Sequence, residues 1–411
     1  MSTLNISSSA ERPAGPSPTG SDAAVAESLP SGAPRPSLHE MHASAPDETD
    51  TAWVFNLQAV AVLLIVLGQT LEALYRSGAL PLTEVALWLH DCLIPLQVPL
   101  LFFCLGYLYQ RFRNVRSRRA WALNLKREAL VLLAPFALFT FLILAANSIA
   151  HNEPALNLQH LVSALLLSPV EPLGYLYTAF LLIAITPTVK SRRNAYGLLL
   201  ATALVKVAIV GALSIPATVQ ATAALPYAVV SVAENWVWLA GGMALALLRG
   251  LPLMRSREKA WALGALWIAA SVITFMAGWI GEASYAVLDA IGILWFASLF
   301  ATIFRRGHQD RFFDTLTRFT MALFLMGGLF LILAQAASEA LGFTGAGAPL
   351  LFALVYAVAA FGAPLAVQAL LSRLERADAV IYPARYLPPL ADILRSPTAT
   401  RRRRPSRLTL Y

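Results

Sequence analysis

Charge is scarce in this chain. Only 13% of its 411 residues are charged and only 23 are acidic, against about 25% charged in soluble domains. Too little charge is present to solvate the two or three soluble domains that this length would otherwise hold. Cysteine is nearly missing, with Cys92 and Cys104 the only two. They lie at opposite ends of one apolar stretch, too far apart on a helix to bond. Neither has metal-ligand spacing, and both read as small apolar packing residues. No phosphate-cradling loop, dinucleotide turn or serine nucleophile elbow occurs, which leaves an ATPase, a dehydrogenase and a serine hydrolase unsupported. The start lacks the basic and apolar regions of a cleavable signal, so the first apolar stretch is expected to act as an uncleaved anchor. No fixed-period repeat and no inverted halves are evident, which weakens a secondary-transporter reading.

What the chain has in excess is apolar length. Hydrophobic residues make up 58%. Ten stretches suited to a bilayer of ~30 Å fall at roughly 53–74, 86–109, 129–149, 173–189, 195–214, 226–248, 260–281, 284–304, 318–341 and 348–372. The expected fold class is all-α, a polytopic transmembrane helix bundle of about ten spans. The net charge of +8 is concentrated in alternate loops. Arg111, Arg113, Arg116, Arg118, Arg119, Lys126 and Arg127 crowd the second, Lys190, Arg192 and Arg193 the fourth. Arg249, Arg255, Arg257 and Lys259 occupy the sixth, and Arg305, Arg306 and Arg311 the eighth. Of the odd loops only the first holds a basic residue, Arg76. The positive-inside rule then puts both termini in the cytoplasm. Charge placed this way argues for anionic lipid and against nucleic acid as the partner, and the Arg401–Arg404 run reads the same way. Residues 1–50 are rich in Ser, Pro, Ala and Gly and read as a disordered cytoplasmic tail. The expected organisation is therefore tail 1–50, membrane domain 51–372 and basic tail 373–411.

The first stretch runs from Asn56 through Gln58 to Val66-Leu67-Gly68-Gln69. The second contains Ile94-Pro95-Leu96-Gln97-Val98-Pro99-Leu100-Leu101-Phe102-Phe103-Cys104-Leu105-Gly106-Tyr107. A basic loop then leads into the third through Lys126-Arg127-Glu128-Ala129-Leu130-Val131-Leu132-Leu133-Ala134-Pro135. Together these resemble the opening of the acyltransferase family 3 membrane proteins, particularly the fucose 4-O-acetylase-like branch. The resemblance is specific over 51–136 and a matter of pattern as far as 372. The family's basic residue falls on Gln58, its first histidine on Gln69 and its second-span histidine on Gln97. All three ionisable landmarks are thus glutamine here. The start of the fourth span departs too, as Leu173-Gly174-Tyr175-Leu176.

The spacing has its own physical sense. Eleven residues at ~100° each return to within about 20° of the same face, so Gln58 and Gln69 share a face and lie ~16 Å apart. In the family this would put a cation near the cytoplasmic mouth and a proton-accepting imidazole deeper. Glutamine donates and accepts hydrogen bonds but does not cycle protons near neutral pH. It can orient an acyl donor or stabilise an oxyanion, or serve only as hydrogen-bond glue between helices.

Other polar groups sit where hydrocarbon is expected. Lys206 lies midway along the fifth stretch, Glu234 in the sixth and Asp289 in the eighth, with Glu72 and Glu339 nearer the outer ends. A Lys206–Glu234 or Lys206–Asp289 pair would neutralise the lysine, and Lys206 is otherwise a substitute cation for a phosphate or thioester oxygen. His90 and Asp91 stand at the outer mouth of the second stretch, with His90 seven residues before Gln97, two helical turns and hence the same face. That makes His90 the candidate replacement base, with an interfacial helix start as the plain alternative. His151 and His160 belong to the outer loop 150–172, which is long enough to cover an acceptor.

The resemblance implies an integral protein of the bacterial inner membrane. Its activity would be O-acyl transfer from acetyl-CoA, or another acyl-CoA, to a hydroxyl of an envelope sugar or polysaccharide. Gln69, Gln97 and His90 are the candidate catalytic residues, and Gln58 and Lys206 the candidate donor-binding ones. Two alternatives stand beside it. One is a catalytically degenerate member that binds or assembles envelope polysaccharide, and the other is a transporter.

Overall fold

Hydrocarbon supplies no hydrogen bonds, so each backbone N–H and C=O within it must be satisfied internally, and a helix does this within one segment. In the computed structural model, every regular element among the described residues is accordingly helical. The described residues are 51–81, 83–113, 115, 117–151, 157–215, 225–248, 256–304, 310–343, 347–374 and 377–383. The expected tail at 1–50 and, of the expected tail 373–411, residues 375–376 and 384–411 lie outside them, together with Arg116, Arg249, Arg255, Arg305, Arg306 and His308.

In chain order the helices are α1 (Ala52–Arg76), α2 (Glu84–Trp88), α3 (Gln97–Phe112), α4 (Arg118–Glu128), α5 (Ala134–His151), α6 (Leu158–Leu166) and α7 (Gly174–Ile185). They continue as α8 (Arg192–Ser214), α9 (Tyr227–Leu248), α10 (Arg257–Met276), α11 (Glu282–Ile303), α12 (Arg311–Ala340), α13 (Pro349–Ala357) and α14 (Ala363–Leu371). Three five-residue π-turns, Leu89–Leu93, Ala129–Leu133 and Val358–Gly362, sit between α2 and α3, α4 and α5, and α13 and α14.

The helix ends follow from local sequence. Ser117, Ser191 and Ser256 each precede an arginine, and each accepts a hydrogen bond from a backbone N–H three residues on, capping α4, α8 and α10 on the basic side. The ends of α1, α10 and α12 on the opposite side are followed by Gly78, Gly278 and Gly342, all at positive φ. There the chain turns back and returns N–H groups to the last carbonyls.

Nine helices among the described residues are long and apolar enough to cross a membrane. The chain is a multi-pass membrane protein. The expected stretch at 173–189 differs from the others. It forms only the twelve-residue α7, which at 1.5 Å per residue reaches about 18 Å. The segment after it is extended, and neighbouring side chains satisfy its backbone. Trp121 Nε1 donates to Ala184 O at 3.1 Å, and Val189 exchanges two hydrogen bonds with the Gln110 amide at 2.8 and 2.9 Å. Thr188 Oγ1 links to Val115 N and O at 3.2 and 3.1 Å. These bonds do for a strap what a helix does for itself.

Helices α1 and α3 are the most enclosed, and α8 is the most lipid-facing. The α3–α9 contact is the most extensive in the bundle. Its cause is a reciprocal pair of glycines. A Cβ on Gly106 would lie 2.0 Å from Leu239 O, and one on Gly242 would lie 2.0 Å from Phe103 O. The two backbones therefore touch, as small residues permit between membrane helices. Helix α1 packs on α3, α11 and α12. Cys92 and Cys104 are both free and buried, as read from sequence.

Candidate functional site

Helix α1 is unbroken from Ala52 to Arg76, so the ~16 Å, same-face relation of Gln58 and Gln69 holds. Both side chains are half-buried. Gln69 lies across the backbone of α12: a Cβ on Gly328 would be 3.2 Å from its Nε2 and 3.4 Å from its Oε1. Gln97, at the first turn of α3, reaches α1 with its Oε1 3.6 Å from the Cβ position of Gly68. Gly68 adjoins Gln69 in the chain, so Gln97 reaches α1 one residue from Gln69. Each keeps a buried Oε1 without a donor. An amide oxygen held from water without a partner costs about 1–3 kcal/mol. Interhelical glue would have paired them, and neither is paired.

Asn56 deepens the pattern. It lies two residues before Gln58 on α1, is fully buried, and leaves both its Oδ1 and Nδ2 unpartnered. Sequence reading passed over it because a single Asn near a span's end looks like an interfacial residue.

A second polar cluster joins the end of α3 to α4. Arg113 Nη2 stands 2.8 Å from Glu128 Oε1, and Arg127 is within electrostatic reach of both. Tyr109 Oη, Asn124 Oδ1 and Arg127 Nε are buried without partners. Tyr109 and Arg113 are one turn apart on α3, and Asn124, Arg127 and Glu128 share a face of α4. Two guanidinium groups oppose one carboxylate, so the cluster has a formal surplus of one positive charge. The sequence showed these residues only as a basic loop. The spacing Asn124-x-x-Arg127-Glu128 was the available signal, and a solvated helical face gives the same spacing.

The remaining candidates fall elsewhere. The side chain of His90 is 47% exposed, and its Nδ1 is 2.8 Å from Asp91 Oδ1. It sits in the π-turn Leu89–Leu93, and a non-helical turn at 94–96 separates it from Gln97. The two-turn, same-face relation to Gln97 no longer follows from the spacing alone, because that spacing assumes an uninterrupted rotation of ~100° per residue. Lys206 lies on α8 within electrostatic reach of Glu234 on α9 and Asp289 on α11. No direct ion pair joins it to either among the described residues. The structure thus groups Lys206 with these two carboxylates and shows no contact between it and Gln58. His160 lies in exposed α6. The side chain of His151 and residues 152–156 of the expected outer cover are outside the described residues. No group of three metal-ligating side chains occurs among the described residues.

Neither a curated protein nor a solved structure matches the chain. A family model does match, that of an acyltransferase domain, and it covers residues 51–368. The match takes in α1 with its two glutamines, the Arg113–Glu128 cluster and nearly all of the bundle, so this chain belongs to acyltransferase family 3.

Proposed function

We propose that the protein transfers an acyl group from a cytoplasmic acyl-CoA, acetyl-CoA in the simplest case, to a hydroxyl of an envelope sugar or polysaccharide. In this reading it sits in the bacterial inner membrane with both ends inside. The observation that carries the site is the pair of unpartnered amide oxygens on Gln69 and Gln97. Each can accept a hydrogen bond from an acceptor hydroxyl and hold it for attack. The Nε2 groups can donate to the thioester oxygen as charge develops there.

The donor end is read at Arg113 and Arg127. Their surplus positive charge and unpartnered Nε suit a phosphate, and arginine binds phosphate through its planar fork. Gln58 and Asn56 lie along α1 on that side. The reaction joins the acceptor oxygen to the acyl carbon and breaks the carbon–sulfur bond. The acceptor's proton leaves with the thiol. Glutamine cannot carry that proton. His90, half-exposed with its Nδ1 on Asp91 and set apart from Gln97, is the candidate carrier on the outer side.

The test is linkage analysis of O-acyl groups on envelope glycans with and without the gene, followed by transfer of labelled acetyl from acetyl-CoA by the purified protein. Loss of a specific ester in the deletion, restored by wild type and reduced ~10²-fold by His90→Ala, supports the proposal. Unchanged glycans and no label transfer sink it. They favour the second reading, a non-catalytic binding or assembly subunit, whose support is the sequence resemblance that sets Gln58, Gln69 and Gln97 at the family's ionisable landmarks. A transporter reading rests only on Lys206, Glu234 and Asp289, and solute flux in proteoliposomes tests it.

A further inference from the structure

A groove of about 350 Å³ opens between the first turn of α4 and the end of α7. It lies outside the glutamine site. Val115, Ala184, Ile185 and Pro187 form apolar walls, Trp121 forms a side, and Arg118 stands at the rim. None of the lining residues is acidic. The Trp121 ring is fixed as a wall by the bond from its Nε1 to Ala184 O. The position within the membrane follows from the chain. Arg118 opens the long helical segment Arg118–Ala150, and Ile185 closes the apolar α7. The groove is therefore at the water–hydrocarbon boundary, where tryptophan is enriched. It is apolar toward the bilayer and cationic toward water.

We infer that this groove binds an anionic phospholipid, with the phosphate at Arg118 and the first part of an acyl chain along Val115, Ile185 and Pro187. Charge complementarity selects this occupant. Arg118 lines a groove with no acidic wall, and the segments that form it continue in sequence into Arg119 and into Lys190, Arg192 and Arg193. The groove also lies against the strap that completes α7, so a bound lipid covers Ala184–Pro187, where helical hydrogen bonding has ended.

The test uses the full chain in nanodiscs of equal phosphatidylglycerol and phosphatidylcholine, with retained lipids counted by native mass spectrometry. Wild type is expected to retain phosphatidylglycerol preferentially. Arg118→Gln should lower that preference about fivefold, the effect of one basic side chain near an anionic surface, and Arg118→Lys should keep it. Trp121→Ala should reduce retention of both lipids. Arg118 is exposed, so its replacement leaves the packed bundle untouched. Inorganic phosphate at ~10 mM should displace neither lipid. An unchanged preference in Arg118→Gln overturns the inference. So does displacement by phosphate alone, which would make this a free-anion site.

Discussion

The two glycines between α3 and α9 allow a sharp experiment. A Cβ on Gly106 would sit 2.0 Å from Leu239 O and 2.8 Å from its carbonyl carbon. Carbon–oxygen contacts between packed helices settle at about 3.3–3.6 Å. Gly106→Ala must therefore move α3 and α9 apart by roughly 1.3 Å, because the obstacle is backbone and has no rotamer to change. Overpacking typically costs ~1–3 kcal/mol. A gap of ~1 Å also forfeits a quarter to a half of the dispersion energy of the pairs it separates. The upper end of the range, about 3 kcal/mol, is expected. At ~2–4 °C per kcal/mol for domains of somewhat smaller size, the melting temperature should fall by about 5 °C or more. Gly242→Ala, whose Cβ would meet Phe103 O at 2.0 Å and Tyr107 N at 2.7 Å, should do the same. The double variant should cost less than the sum, since one separation relieves both clashes. Gly197→Ala and Gly211→Ala on α8 are the controls, with nothing within 4 Å of either Cβ position. They should be neutral or slightly stabilising through helix propensity. Melting in detergent followed by size-exclusion chromatography reads all of this. A Gly106→Ala protein that melts within about 1 °C of Gly197→Ala refutes the argument.

Three further outcomes are expected. Gln69→Leu and Gln97→Leu each remove an unpartnered buried amide oxygen, so both should melt at or above the wild-type temperature while acyl transfer falls. Lower stability with unchanged transfer would make these residues structural. Lys206→Met should destabilise by less than the ~3–5 kcal/mol of a broken direct buried pair, by weakening the compensation of Glu234 and the buried Asp289. Lys206→Met with Asp289→Asn should recover part of that, and equal melting of the single and double variants would show that Lys206 and Asp289 do not interact. Ser117→Cys and Ser406→Cys should resist impermeant thiol reagents on intact cells, whereas a cysteine placed in 150–160 should react. Labelling of the first two from outside would reverse the topology.

The sequence was most legible where the pattern is long and repetitive. Twenty apolar residues in a row admit few structures, so most spans could be anticipated. It was least legible where one residue changes the geometry. The His90–Gln97 relation depended on a uniform turn, and a π-turn leaves no clear mark in Leu89-His90-Asp91-Cys92-Leu93. The stretch at 173–189 is apolar enough for a helix, yet Thr186–Val189 are held extended by bonds to Trp236, Val115 and Gln110, partners distant in sequence. Asn56 and Asn124 were unremarkable as letters. What singles them out is burial with a side-chain oxygen left without a hydrogen bond, and only the fold reveals that. Gly106 was visible inside the resembling Phe-Phe-Cys-Leu-Gly-Tyr stretch, and the structure supplies its reason, the carbonyl of Leu239.

The α3–α9 contact also governs the order of assembly. Gly106 and Gly242 are 136 positions apart in the chain. At about 5–20 residues per second, a ribosome takes roughly 7–27 s to travel between them. During that interval α1 and α3 have already emerged and can pair, but the Gly106 notch of α3 has no partner and faces lipid or the insertion machinery. Helices α4 to α8 must enter the membrane around this unfinished centre. The bundle therefore closes late, when α9 seats against α3. A chain interrupted anywhere before Tyr227 would keep its membrane segments and lack the contact that holds them together, which would mark it for quality-control proteolysis.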